Sequence, residues 1–304
     1  MADRTAATIA LVYPDLLGTY GDAGNATVLA ARLRWRGIEA EVLTVGSGQP
    51  VPESCDVYVL GGGEDLPQVL AAQMLAKTKA LHRAVQKGAA VLAVCAGLQI
   101  LGESFPAPGD AEGAGAQRQN DGLGLLPCVT RRAAQPLSAT RRARSTPARP
   151  PGHGLGGELW SAARRASLGA LGRPRGARSL AQGRRAIGEV LVRPQGRWGN
   201  IGLLTGFENH ASATELLPGA EPAGTVLAGV GNQDGTYEGV VSGRIWGTYL
   251  HGPVLARNPR LADLLLTWAV GELAPLDDSE PAALHAERAS RGPSERRLLE
   301  RKLQ

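Results

Sequence analysis

The chain has 304 residues, 43% of them apolar, enough for one large α/β domain or two small ones. Its formal charge of +5 is local: residues 131–185 carry 13 Arg and one acid, Glu158, while the other 20 basic residues face 27 acidic ones. With only Trp160 interleaved among those arginines and no recognisable binding motif, nucleic-acid binding is not expected.

No apolar run is long enough to span a membrane, and residues 1–5 lead into a strand without a secretory pattern, so a cytoplasmic protein is the expectation. The three cysteines, Cys55, Cys95 and Cys128, are odd in number and lack metal-ligand spacing, which fits free thiols. A strand is predicted over residues 7–12, followed by the Gly/Asp/Asn loop 18–25. A helix over 26–36 stops at Gly37, and a strand follows over 39–45. Strand 57–60 ends in Gly61-Gly62-Gly63-Glu64-Asp65, a helix over 67–87 ends at Gly88, and an apolar strand runs into Cys95. Such βα alternation implies a mostly parallel sheet flanked by helices, with functional groups at the carboxyl ends of its strands. Periodicity vanishes over 127–184, where only 158–171 has the makings of a short helix, and the stretch reads as disordered. Short β segments resume over 187–192, 203–210, 224–230, 239–241 and 245–251. A helix over 259–268 follows, and the charged tail from Pro275 is either a surface helix or disordered.

Cys95 stands where a buried strand meets a helix, with Ala96 and Gly97 small enough for a sharp turn. On such an elbow a side chain leaves the sheet exposed, beside N–H groups that favour a thiolate. The alternative is a small buried hydrophobe, the common fate of a free cysteine. A nucleophilic thiol needs a base. His251 closes a strand-like run before Gly252-Pro253, and His210 also closes one; the pattern favours His251 and leaves His210 as a rival. His82 falls on a helix with a surface role expected, His153 in the low-complexity stretch and His285 in the tail. The turn 61–63 either aims N–H groups at an oxyanion or is simply tight. No phosphate-binding loop of the G-x-x-x-x-G-K-[ST] kind occurs, which argues against an autonomous ATPase or kinase.

Tyr20-Gly21-Asp22-Ala23-Gly24-Asn25, Gly61-Gly62-Gly63-Glu64-Asp65, Cys95-Ala96-Gly97-Leu98-Gln99, Gly122-Leu123-Gly124-Leu125, Gly206-Phe207-Glu208-Asn209-His210 and Gly247-Thr248-Tyr249-Leu250-His251-Gly252-Pro253 occur in that order. The set resembles the cobyric-acid-synthase-like branch of class I glutamine amidotransferases, and within it the GatD-type glutaminase subunits of lipid II isoglutaminyl synthases. The resemblance implies an α/β amidotransferase domain over 1–272, interrupted by the low-complexity insertion 128–184 and followed by the tail 273–304. It implies that Cys95 attacks the side-chain amide of glutamine, that His251 carries the proton, and that N–H groups of Gly62 or Gly63 with Ala96 hold the oxyanion. Gln99 and Arg185 would grip glutamine. No cofactor or metal is implied for this subunit; ATP and Mg belong to a MurT-type, Mur-ligase-like partner, through which lipid II is reached without membrane insertion. The carboxylate that many class I enzymes carry two residues after the histidine is replaced by Pro253, so the orienting acid is unassigned and could come from the partner. The insertion is either genuine or the product of a shifted reading frame. Service to another amidating synthetase, or an inactive binding subunit, are the alternatives.

Overall fold

The computed structural model describes residues 6–109, 118–133, 185–232 and 235–290. In chain order the first half gives β1 (Ala6–Val12), α1 (Gly24–Arg34), β2 (Glu39–Val45), β3 (Val57–Leu60), α2 (Asp65–Thr78), α3 (Ala80–Gln86), β4 (Ala90–Val94) and α4 (Ala96–Leu101). Then come β5 (Ser104–Pro106), β6 (Gln119–Asp121), β7 (Cys128–Arg132), β8 (Ala186–Pro194), β9 (Leu204–His210), β10 (Ser212–Leu216) and β11 (Gly224–Ala228). The chain continues with β12 (Tyr237–Glu238), β13 (Val240–Ser242), β14 (Ile245–Thr248), α5 (Val254–Arg257), α6 (Pro259–Val270) and α7 (Ser279–Ser290).

The central sheet has the order β13-β14-β4-β3-β1-β2, and every pairing except β13 with β14 is parallel. Its middle strands β3 and β4 are buried at every residue, as unbroken apolar runs between two helical layers should be. Because β14, β4, β3 and β1 run the same way, the loops that leave them gather along one edge. Two four-stranded sheets, β10-β7-β5-β6 and β12-β11-β8-β9, lie beside it. The latter joins the central sheet through a two-way backbone bridge between Phe207 and His251, with N···O distances of 3.2 and 2.8 Å.

Three expectations are revised. The helix over 67–87 is two helices, broken at Lys79, whose φ of 51° is left-handed; no glycine marks the break, so the sequence carries no signal for it. Cys128–Arg132, placed inside the insertion, is β7 and pairs antiparallel with β10. Its two arginines made it look like the low-complexity stretch, yet Cys128 and Thr130 are buried while Arg131 points outward. The remainder of that stretch, with His153 and the short helix over 158–171, lies outside the described residues. His82 does not take a surface role: its Nε2 is 2.7 Å from the Leu123 carbonyl and its Nδ1 is buried. The tail contains a surface helix, α7, none of whose residues is buried.

Arg32 on α1 is 2% exposed and fastens the C-terminal part of the chain. Its guanidinium makes paired contacts with Asp263 at 2.6 and 2.7 Å and with Asp278 at 2.6 and 2.9 Å, and Arg36 adds a third link to Asp263 at 2.9 Å. Removing the central cation leaves two carboxylates facing each other. Arg32→Ala is therefore expected to lower unfolding stability by about 3 kcal/mol, read from urea denaturation midpoints. A loss under about 1 kcal/mol would mean solvent already screens the pair.

Candidate active site

Four loops at the carboxyl ends of the parallel strands build the site. The β4 loop delivers Cys95, whose φ of 52° and ψ of −105° are strained for a residue with a side chain. The strain is held by packing and hydrogen bonds on both sides. Cys95 N–H donates to Thr248 O at 2.8 Å, and Gly97 N–H donates to Gly61 O at 3.1 Å. A methyl group at Gly97 would stand 2.9 Å from Leu60 Cβ and Leu60 O, so only glycine lets α4 start this close to β3. The residue is 7% exposed, so Cys95 lies at the floor of a pocket rather than standing clear above the strands.

The β14 loop delivers His251, 2% exposed, with its backbone pinned by Phe207. Its Nδ1 donates to Asp22 Oδ2 at 2.9 Å. Its Nε2 has no hydrogen-bond partner, and the Cys95 thiol is close enough to act on its titration. Burial pushes the imidazole pKa down, but Asp22 and Cys95 outweigh it and hold His251 at about 9. His210, the rival, lines the same pocket as Cys95, but its nitrogens face Ser212 and Glu208 rather than Asp22. Its ring stacks on Tyr249 with centroids 4.0 Å apart, and its Nδ1 lies 3.1 Å from Ser212 O.

Asp22 is the orienting acid that sequence reading left unassigned. It sits in the β1 loop, 229 residues from His251, and is fully buried. The same Oδ2 accepts from Gly62 N–H at 3.0 Å. Pro253, which occupies the position where an acid was sought, packs the loop in place instead: a methyl group at Gly24 would stand 2.5 Å from Pro253 Cγ. Asn25 Oδ1 accepts from Leu255 N–H at 3.0 Å, tying α1 to α5. The available signal was an aspartate in a Gly-rich loop after a parallel strand, a place where functional groups collect.

The Gly62 N–H is thus spent on Asp22, whereas Gly63 lines the cavity that holds Cys95. Ala96 opens α4, and the first N–H groups of a helix have no partner within it. Cys95, Gly63, Gln99 and Arg185 line one pocket of about 430 Å³. The Arg185 guanidinium donates to Tyr20 Oη at 2.9 Å and, through Nε, to Asn209 Oδ1. Tyr20 in turn packs against His251, ring centroids 4.6 Å apart. Gln99 faces the pocket with its amide already engaged: Oε1 accepts from Gln68 Nε2 at 2.9 Å and Nε2 donates to Ser212 Oγ at 3.0 Å. A larger apolar cavity of about 650 Å³, between α7 and the start of α6, holds none of the Cys95, His251 or Asp22 machinery. Among the described residues there is no cluster of His, Cys, Asp and Glu that could hold a metal ion, and no helix long and apolar enough to cross a membrane.

The raised His251 pKa has a signed consequence. A folded-state value above the ordinary 6.5 means the bound proton stabilises the fold. That contribution is complete below pH 6.5 and fades as pH climbs through about 9. Urea titrations at several pH values are expected to show an excess of wild-type stability over His251→Gln that shrinks across this window, by at most about 3 kcal/mol. An excess that grows with pH would overturn the assignment of the proton to His251.

The model of the CobB/CobQ-like glutamine amidotransferase domain matches residues 8–153 and 177–259, well over half of the chain. The lipid II isoglutaminyl synthase (glutamine-hydrolyzing) subunit GatD of Staphylococcus aureus (strain N315) is 28% identical over 255 residues, covering 83% of this chain and 79% of that protein. The subunit of the same name from Streptococcus pneumoniae (strain ATCC BAA-255 / R6) is 27% identical over 277 residues, covering 90% of this chain and 84% of its own. With its motifs on the loops of one parallel sheet edge and the family model spanning both halves of the sequence, the chain belongs to the CobB/CobQ-like glutamine amidotransferase family.

Proposed function

We propose that this chain hydrolyses glutamine to glutamate and ammonia, and that the ammonia goes to a MurT-type ligase subunit that amidates the D-glutamate α-carboxyl of lipid II. The observation that carries the chemistry is Cys95 on a strained elbow beside an imidazole held by the buried Asp22. The names of the relatives matched over most of their length support the choice of pathway.

Arg185 at the pocket wall supplies a planar fork for the α-carboxylate of glutamine. The substrate amide then reaches toward Cys95. With the His251 pKa held at about 9, the proton given up by the Cys95 thiol rests on Nε2 as the sulfur attacks the amide carbon. The negative charge that develops on the carbonyl oxygen is met by the N–H groups of Gly63 and Ala96. Collapse of the tetrahedral adduct breaks the C–N bond, and the proton on His251 passes to the leaving nitrogen, which departs as ammonia. A γ-glutamyl thioester remains on Cys95. Water, giving a proton to His251, attacks the thioester carbon, and glutamate leaves as the thiol regains that proton. One glutamine and one water are consumed, and one glutamate and one ammonia are made. Asp22 keeps Nδ1 protonated throughout, so that Nε2 is the nitrogen that exchanges protons. ATP and Mg, needed to activate the acceptor carboxyl, belong to the partner subunit in this reading.

Ammonia release from glutamine, measured with the chain alone and with a co-expressed MurT-type subunit, tests the proposal. Cys95→Ala is expected to abolish release while leaving the partner bound. Asp22→Asn is expected to lower kcat roughly a hundredfold or more, since an amide at this position misdirects the imidazole proton. Amidated lipid II should form only when the wild-type chain, the partner, glutamine and ATP are combined. Unchanged release by Cys95→Ala would remove Cys95 as the nucleophile. Glutaminase activity without lipid II amidation would reassign the partner.

A further inference from the structure

An amino-acid substrate carries an ammonium on the same carbon as its carboxylate, so a group that receives the carboxylate needs an anionic neighbour on the pocket wall. We propose that the Glu64 carboxylate holds the α-ammonium of glutamine and so restricts the site to the free amino acid. The inference rests on the glutaminase reading given above and adds a residue to it.

Several other polar side chains around the pocket are engaged with one another. Asp65 Oδ2 accepts from Arg132 at 2.8 Å. Asn209 Oδ1 accepts from Arg185, and the Gln68 and Gln99 amides are bonded to each other. Glu64 differs. It lines the same cavity as Cys95 and Arg185, and it is exposed. Although it stands at the N-cap position of α2, its side chain makes no cap hydrogen bond. Among the described residues its carboxylate accepts no hydrogen bond and forms no ion pair. Its extended backbone, φ −79° and ψ 163°, follows directly on Gly63, which lines the same pocket.

The spacing to Arg185 is read through Tyr20. Burial raises the pKa of this phenol; Arg185 lowers it and Glu64 raises it, so both charges lie within electrostatic reach of one hydroxyl group. A cation and an anion on the wall of one pocket, both felt by Tyr20, match the zwitterionic end of glutamine, with the amide end left to Cys95. A glutamine whose amino group is acylated, as within a peptide, offers no cation to Glu64 and leaves that carboxylate facing a neutral amide.

The test compares glutamine with glutaramate, which has the same amide and carboxylate but no ammonium. In Glu64→Gln the KM for glutamine is expected to rise roughly tenfold to a hundredfold, the loss of one charge-assisted hydrogen bond, with kcat within about twofold. Turnover of glutaramate should not change, so the wild-type preference for glutamine collapses. Binding is read separately as protection of the Cys95 thiol from iodoacetamide by each compound. An unchanged glutamine KM and unchanged protection in Glu64→Gln would overturn the proposal, as would equal losses for glutamine and glutaramate. If the wild-type chain releases no ammonia but glutamine protects Cys95 in a Glu64-dependent manner, the recognition role stands and the glutaminase reading falls.

Discussion

One carboxylate oxygen of Asp22 accepts two hydrogen bonds, from Gly62 N–H at 3.0 Å and from His251 Nδ1 at 2.9 Å. These belong to the loops that leave β3 and β14, while Asp22 itself leaves β1. The single atom thus fixes three of the four loops that form the site relative to one another. Burial makes the arrangement costly to disturb, because a buried carboxylate is tolerated only when its charge is met by donors or a cation. The space around the contact is also filled. A methyl group at Gly62 would stand 2.9 Å from His251 Cε1, 3.0 Å from Tyr20 Cδ2 and 3.3 Å from Asp22 Oδ2. The triple-glycine turn is therefore a packing requirement as well as a turn, and its middle N–H is bonded to the acid that holds the histidine.

The side of His251 that faces the core is organised by a second buried acid. Glu238 Oε1 accepts from Tyr249 N–H at 2.7 Å and from the Thr248 hydroxyl at 2.8 Å, which fixes the chain between β14 and His251. Burial lifts its pKa to about 7 in spite of these bonds, with Glu208 adding to the rise. Glu208 is itself met by the N–H groups of Val230 and Gly231, both at 2.9 Å. The Tyr249 hydroxyl reaches Thr214 at 2.7 Å, and Thr214 reaches Thr130 at 2.9 Å. Since Gln99 Nε2 donates to Tyr249 Oη at 3.4 Å, hydrogen bonds run from the β10–β7 pair to the pocket wall. Such a network is stiff only when its members are satisfied, and most here are.

How far the site could be read from the chain depends on the range of the signal. The elbow at Cys95 is written in eight consecutive residues: a five-residue apolar run, the cysteine, then two small ones. The strand limits 39–45 and 57–60 follow equally from local composition and match β2 and β3. In sequence His251 and His210 both close strand-like runs, and the pattern favours His251 without excluding His210. They differ only in which sheet their strand joins, a non-local fact: β14 lies beside β4, whereas β9 pairs with β8. Asp22 was hidden for the same reason, since its partner is 229 residues away. The commitment of Gly62 N–H could not be seen without Asp22. The break at Lys79 escaped because a lysine, not a glycine, takes the left-handed turn. β7 escaped because arginine content masked a strand alternation of only five residues.

Arg185 and His251 are linked by direct contacts through Tyr20. Arg185 bonds the Tyr20 hydroxyl at 2.9 Å, and the Tyr20 ring lies against the imidazole of His251, centroids 4.6 Å apart. A carboxylate drawn to Arg185 would compete for the guanidinium donors that now face Tyr20 and Asn209. Tyr20 lies between that event and the base. Its freedom is small: it is packed over Gly62, and Gly62 is held by Asp22. The loop between β1 and α1 consequently contacts both His251 and Arg185, with Asp22 bonded to the imidazole and Tyr20, two residues earlier, bonded to the guanidinium. Such sharing explains why this loop is anchored so heavily, by Asn25 to Leu255 and by Gly24 to Pro253. A mobile loop here would blur the aim of His251 and the placing of Arg185 together.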